Sequence, residues 1–156
     1  MSADMYSFLL HLHSVGRWLV LLLLIVAIFN SMVAGSRPFI RSDARTGTIL
    51  VIFADLMFLI GVGMWFSNPK GLGYQSFKTH TFSEVMKDNY LRFFGIEHIS
   101  MMLIAIILLH IGKAQGKKAI SDKAKHTRTL VFYLLALLLI MISIPWPFRA
   151  LGGHWY

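Results

Sequence analysis

Between Trp18 and Ala34 the chain runs without an ionisable side chain, and three further long apolar stretches follow: Thr48 to Phe66, about Asn89 to Ile111, and Thr129 to Ile144. Crossing roughly 30 Å of hydrocarbon takes about 20 helical residues, with about 17 to 25 tolerated. All four runs meet that requirement, the last only just. In lipid every backbone N–H and C=O must be bonded internally, and runs this long and continuously apolar exclude the alternating strands of a barrel. The chain therefore reads as an all-α membrane protein with four transmembrane helices, over about 5–34, 48–66, 82–113 and 122–144. Gly35, Ser36 and Pro38 stop the first, Ser67, Asn68 and Pro69 the second, and the Pro145-Trp146-Pro147 corner the fourth. Short connections between helices one and two and between three and four predict an up-down-up-down bundle. At 156 residues it forms a single membrane domain, 1–156, with no room for a separate globular module.

Composition narrows the function classes. Hydrophobic residues make up 56% and charged ones 14%, against roughly 45–50% and 25% in a soluble domain. The net charge of +8 would point to nucleic acid in a soluble protein, but these basic residues flank the apolar runs, where a lipid bilayer asks for them, so no nucleic-acid partner is expected. The first connection carries Arg37, Arg41 and Arg45, and the third carries Lys113, Lys117, Lys118, Lys123, Lys125 and Arg128. Basic loops face the cytoplasm, so both termini are expected on the non-cytoplasmic side. No Lys or Arg precedes the first apolar stretch and no small-x-small pattern follows it, so it reads as helix one rather than a signal peptide. With no cysteine there can be no disulfide, iron–sulfur cluster, thiolate zinc site or covalent c-type haem.

Smaller signals fill in the frame. Thr81-Phe82-Ser83-Glu84 has capping-box spacing, so helix three is expected to begin there as an amphipathic lead-in. Trp18, Trp65, Trp146, Trp155, Tyr90 and Tyr156 fit interfacial belts. His80, His126 and His154 fall in connections or tails, where a solvated imidazole is expected. No phosphate-binding glycine loop, G-x-S-x-G or H-E-x-x-H pattern occurs.

Ionisable groups within the spans carry the functional argument, since each costs about 2.5–3.5 kcal/mol at the bilayer centre. Toward the non-cytoplasmic side lie His11, His13, Arg17, Arg92, Glu97, His98 and Arg149; toward the other lie Asn30, Ser31, Asp55 and His110. At 100° per residue His13 shares a stripe with Arg17, Val20, Leu24, Ala27 and Ser31, and His98 shares one with Gly95, Met102, Ala105 and Gly112. Two imidazoles projecting from facing helices past small residues are the axial-ligand pattern of a b-type haem, so His13 and His98 are the candidate iron ligands. His11, about 200° around the helix from His13, is the substitute. Haem propionates need cationic partners, and Arg17, Arg92 and Arg149 would supply them.

Plainer readings stand beside this one. Either His could be an interfacial or hydrogen-bonded packing residue, and Arg17 could pair with Glu97 without any cofactor. Met101 and Met102 read as packing residues. Measured from the cytoplasmic ends, His13 lies seven residues farther out than His98, roughly 10 Å at the helical rise. The two can meet only if helix three continues past Lys113, if the helices tilt, or if helix one protrudes. Asp55 and His110 could form an ion pair, a proton-accepting site or a hydrogen-bonding pair for a quinone head; a carboxylate paired with His110 and Asn30 is the plainest of these.

The stretches Leu9-Leu10-His11-Leu12-His13-Ser14 with Arg17-Trp18, Leu91-Arg92-Phe93-Phe94 with Glu97-His98-Ile99, His126 with Phe132-Tyr133, and Ile144-Pro145-Trp146-Pro147-Phe148-Arg149 resemble short four-helix bacterial membrane proteins labelled cytochrome b, distantly similar in architecture to the cytochrome b561 type. The resemblance covers nearly the whole chain. It implies a haem b protein of the bacterial inner membrane, with His11 or His13 and His98 at the ligand positions. It further implies electron exchange with a quinone or a periplasmic redox protein. The group carries His where this chain has Asp55 and lacks one at His110, a departure that implies a moved ligand, one haem fewer, or none. The alternative reading is a cofactor-free accessory subunit of a larger respiratory or photosynthetic membrane complex, packed against other subunits or its own copies. A channel through Asp55 ranks third, because four helices enclose little pore.

Overall fold

The computed structural model describes residues 2–149 and 151; the aromatic and imidazole expectations for His154, Trp155 and Tyr156 lie outside the described residues. The first helix, α1 (Ala3–Val33), starts where the Ser2 hydroxyl accepts the Met5 N–H at 3.3 Å. It ends before Gly35, whose φ of +58° is a left-handed turn that a side chain disfavours.

The second, α2 (Arg41–Ser67), begins seven residues before the apolar run at Thr48. Its polar first turns are held by Asp43, which accepts the Ile40 N–H at 3.0 Å and grips Arg37 through two bonds of 2.8 and 2.7 Å. Hydropathy does not register such a start, because the residues that make it are charged.

The expected third helix, 82–113, is broken into pieces. After a short 3-10 turn (Gly73–Gln75) and α3 (Ser76–Thr79) come α4 (Phe82–Lys87), α5 (Asn89–Arg92), a π-turn (Phe93–Glu97), α6 (His98–Ala114) and a 3-10 turn (Gln115–Lys117). Asp88 makes the break. Its backbone turns extended and its carboxylate accepts the N–H groups of Tyr90 and Leu91, each at 2.8 Å, starting a new helix. The last helix, α7 (Asp122–Ser143), lies within a residue of the expected bounds and starts on the Ser121 hydroxyl, which accepts the Ala124 N–H at 3.3 Å.

Four helical stretches, Asp4–Val33, Arg41–Ser67, Asn89–Lys117 and Asp122–Ser143, are long and apolar enough to cross a membrane, and no strand occurs among the described residues. α1 packs on α2 and α7, and α6 packs on the same two helices, closing a ring of four. Leu24, Leu50, Leu109, Ala105 and Ala136 fill its axis. Outside, large apolar side chains face away on every span: Leu22 is 58% exposed, Leu59 65%, Ile107 49% and Leu138 57%. A helix apolar on all sides needs lipid around it, so this is a multi-pass membrane protein.

The expected capping box opens α4. Glu84 Oε2 accepts the Thr81 N–H at 2.7 Å and its hydroxyl at 2.9 Å, while the Glu84 N–H donates to Thr81 Oγ1 at 3.3 Å. The Thr81 backbone N–H, then its hydroxyl, hold the Glu84 carboxyl below the ordinary Glu value. The folded state therefore prefers the carboxylate, and the cap's contribution is present above the unfolded pKa and lost as pH falls through the lower folded one. Amide hydrogen exchange in α4 is expected to accelerate across that acid window, and Glu84→Gln is expected to flatten the dependence.

Candidate functional site

α1 and α6 bring His13 and His98 together, with ring centroids 6.5 Å apart and planes at 71°. The seven-residue offset disappears because the third span continues past Lys113 through the turn ending at Lys117. His13 and His98 then stand at nearly equal distances from the ends of their spans.

Each ring turns its Nδ1 edge to a neighbouring backbone. His98 Nδ1 bonds the Ser143 carbonyl of α7 at 2.8 Å, which fixes Nδ1 as the protonated nitrogen and leaves the Nε2 lone pair available. The Cε1–Nδ1 edge of His13 lies over α2 at Gly61, with the Met57 backbone beside the ring. A Cβ on Gly61 would stand 3.2 Å from His13 Cε1, so any larger residue would press the ring a few tenths of an ångström from this seat. The Nδ1 atom itself is buried.

At 6.5 Å and 71° the two rings stand edge to face. Among the described residues no cluster of three or more His, Asp or Glu side chains could hold a metal ion.

The other residues singled out by the sequence divide. His11 is exposed on α1. The Arg17 guanidinium lies 5.2 Å from the Trp18 ring centre and within electrostatic reach of both imidazoles. Arg92 is committed elsewhere, to Glu97 at 2.7 Å, the Met86 carbonyl and Asn89. Glu97 therefore answers Arg92, not Arg17. That pairing is a product of the π-turn, whose wider coil brings residues five apart together. The indole N–H of Trp65 donates to the Gly95 carbonyl inside the turn at 3.0 Å and pins it. Arg149 donates to the Ile142 and Ile144 carbonyls and lies over Phe93, 5.5 Å from its ring centre, closing the end of α7. Met102 packs on the core.

Nearer the other end, His110 Nε2 and Asp55 Oδ1 pair at 3.0 Å. Asn30 takes no part in that pair; it lines a small polar cavity with Ser31, Asp43, Thr129 and Tyr133. The Asp55 and His110 side chains are 41% and 49% exposed, on the outward face of α2 and α6.

His126, expected to be solvated, is 2% exposed. It lies tilted against Phe39, centroids 5.1 Å apart and planes at 41°, and both its ring nitrogens are buried without hydrogen bonds. Its stripe of Thr129, Tyr133, Ala136, Ile140 and Ser143, all buried, was the available signal. The charges around it masked that signal.

No protein-family model, curated protein or solved structure matches this chain.

Proposed function

We propose that the chain is a b-type haem-binding electron-transfer protein of a bacterial inner membrane, with the haem held between His13 and His98. The observation that supports this reading is the imidazole pair on two different spans, its ring centroids 6.5 Å apart and each ring's Nδ1 edge set against a helix backbone. The four spans then run up-down-up-down with both termini on the non-cytoplasmic side, as the basic loops around Arg37–Arg45 and Lys113–Arg128 ask.

A haem supplies one-electron redox chemistry. The protein's part is to orient the two imidazoles, through Ser143 for His98 and through the Gly61 seat for His13, and to exclude water with the apolar bundle. Arg17, within electrostatic reach of both imidazoles, is the cation beside the rings; Arg92 and Arg149 brace the surrounding backbone. Exchange partners are a quinone within the bilayer or a redox protein on the side where His13 and His98 lie. The test is a reduced-minus-oxidised spectrum and a pyridine haemochrome on the protein purified from membranes. A b-type α band at about one haem per chain is expected; protein that stays colourless when expressed with haem in excess overturns the reading.

One observation favours a second reading, an accessory subunit in a larger membrane complex. The Asp55–His110 pair faces outward within the span, where lipid would leave it poorly solvated and a partner's helix would cover it. Co-purification of other membrane subunits, lost in Asp55→Leu, would support that role.

A further inference from the structure

At the end of the bundle remote from His13 and His98, the start of α2 stands beside the end of α6, and a groove of 260 Å³ opens between them. Arg41, Lys113 and Lys117 line it together with Phe39 and Ile40, and no acidic side chain does. The nearby acids are already neutralised: Asp43 is clasped by Arg37 at 2.7 Å, and Asp122 by Lys125 at 3.0 Å. Arg41, Lys113 and Lys117 make no ion pair with the described residues. Three like charges around one concavity repel one another, and the groove holds a positive potential that an anion would relieve.

The walls narrow the choice of anion. Phe39 is wedged in place: its ring lies against the buried His126 with centroids 5.1 Å apart, and it packs so closely on Gly116 that a Cβ there would stand 2.5 Å from it. It therefore presents a fixed apolar surface beside the cations. Ile40 is 50% exposed at the rim, and Ile52, one turn beyond Thr48 of the groove's α2 wall, is 52% exposed. Cations at one end of a groove, with apolar surface continuing along the span, match a phosphate joined to a hydrocarbon tail better than a free ion. The level matches too, because the groove lies where two spans leave the hydrocarbon and head groups begin.

We infer that this groove binds the head group of an anionic glycerophospholipid, with Arg41, Lys113 and Lys117 on the phosphate and Phe39 and Ile40 against the glycerol and first acyl carbons. The site does not depend on the haem reading.

The test uses the full chain, delipidated in neutral detergent and titrated with dioleoyl phosphatidylglycerol, dioleoyl phosphatidylcholine or inorganic phosphate, with binding read by native mass spectrometry and thermal unfolding. Saturable binding of the phosphatidylglycerol, about tenfold or more tighter than of the phosphatidylcholine, is expected. At about fivefold per cation, K113Q/K117Q should weaken it about 25-fold. K123Q/R128Q, which removes equal charge from the same end outside the groove, should change it less than about threefold on the same basis. R41Q, at the exposed first residue of α2, provides a separate single-site check expected to cost about fivefold. Equal losses in the two double variants would reduce the effect to diffuse surface charge and overturn the proposal. So would inorganic phosphate that competes with the lipid on equal terms, since the site would then recognise a free anion.

Discussion

Replacing His98 by alanine is expected to remove the b-type absorbance almost entirely while leaving a folded, membrane-inserted protein. The side chain is one of the two paired imidazoles to which the haem is assigned, and its loss also frees the Ser143 carbonyl at 2.8 Å. Losing an outer-shell partner of a metal ligand costs about 10–100-fold in affinity, and losing the ligand itself should cost at least as much. Haem content per chain should therefore fall by about tenfold or more. His13→Ala should match it, whereas His11→Ala, on the exposed side of α1, should keep full haem content. Haemochrome quantitation on protein of equal monodispersity reads the result. A His98→Ala variant that retained its full complement of haem would remove this imidazole pair from the mechanism.

The largest effect on stability is expected at Gly112→Val. A Cβ at Gly112 would stand 2.5 Å from Tyr133 Cε1 and 2.7 Å from Cδ1. The ring cannot retreat, because it is 2% exposed and its hydroxyl lies 2.8 Å from where a Cβ on Gly47 of α2 would be. Tyr133 is thus clamped between glycines of two helices. Overpacking a filled core costs about 1–3 kcal/mol, occasionally more, and valine adds three carbons at a contact already too short for one. We expect a loss of about 3 kcal/mol or more, seen as a lower unfolding midpoint in detergent. Gly63→Ala is the contrast: nothing lies within 4 Å of its Cβ position, so helix propensity alone should raise stability by about 0.5–1 kcal/mol. A Gly112→Val protein as stable as the parent would mean that α6 and α7 separate more easily than their packing indicates.

The sequence made the spans visible because lipid selects apolar residues all round a helix, and no tertiary detail can hide that pattern. The His13 and His98 stripes were legible for a related reason: in a straight helix, spacing fixes direction. The same assumption failed wherever the backbone left the α-helical pitch. The π-turn at Phe93–Glu97 changed which residues are neighbours, so Glu97 met Arg92, five residues away, and not Arg17 of α1. Asp88, an ordinary acid in the sequence, became a cap that cut the expected helix in two. His126 was misread because Lys123, Lys125 and Arg128 gave its surroundings the look of a solvated surface, while the buried face beneath was carried by Thr129 and Tyr133. Asp43 and Arg37 hid the true start of α2 for the same reason.

The π-turn has a consequence for how this chain can vary. Such a turn holds one residue more than an α-helix needs for the same rotation, so deleting a single residue there would restore regular winding while leaving the groups on either side at nearly their present angle about the axis. Asn89 and Tyr90 would keep their side, while Arg92 and Glu97 would stand four residues apart instead of five. One residue is thus the length change this segment absorbs most readily, whereas the same deletion within α6 would turn everything before it by about 100°.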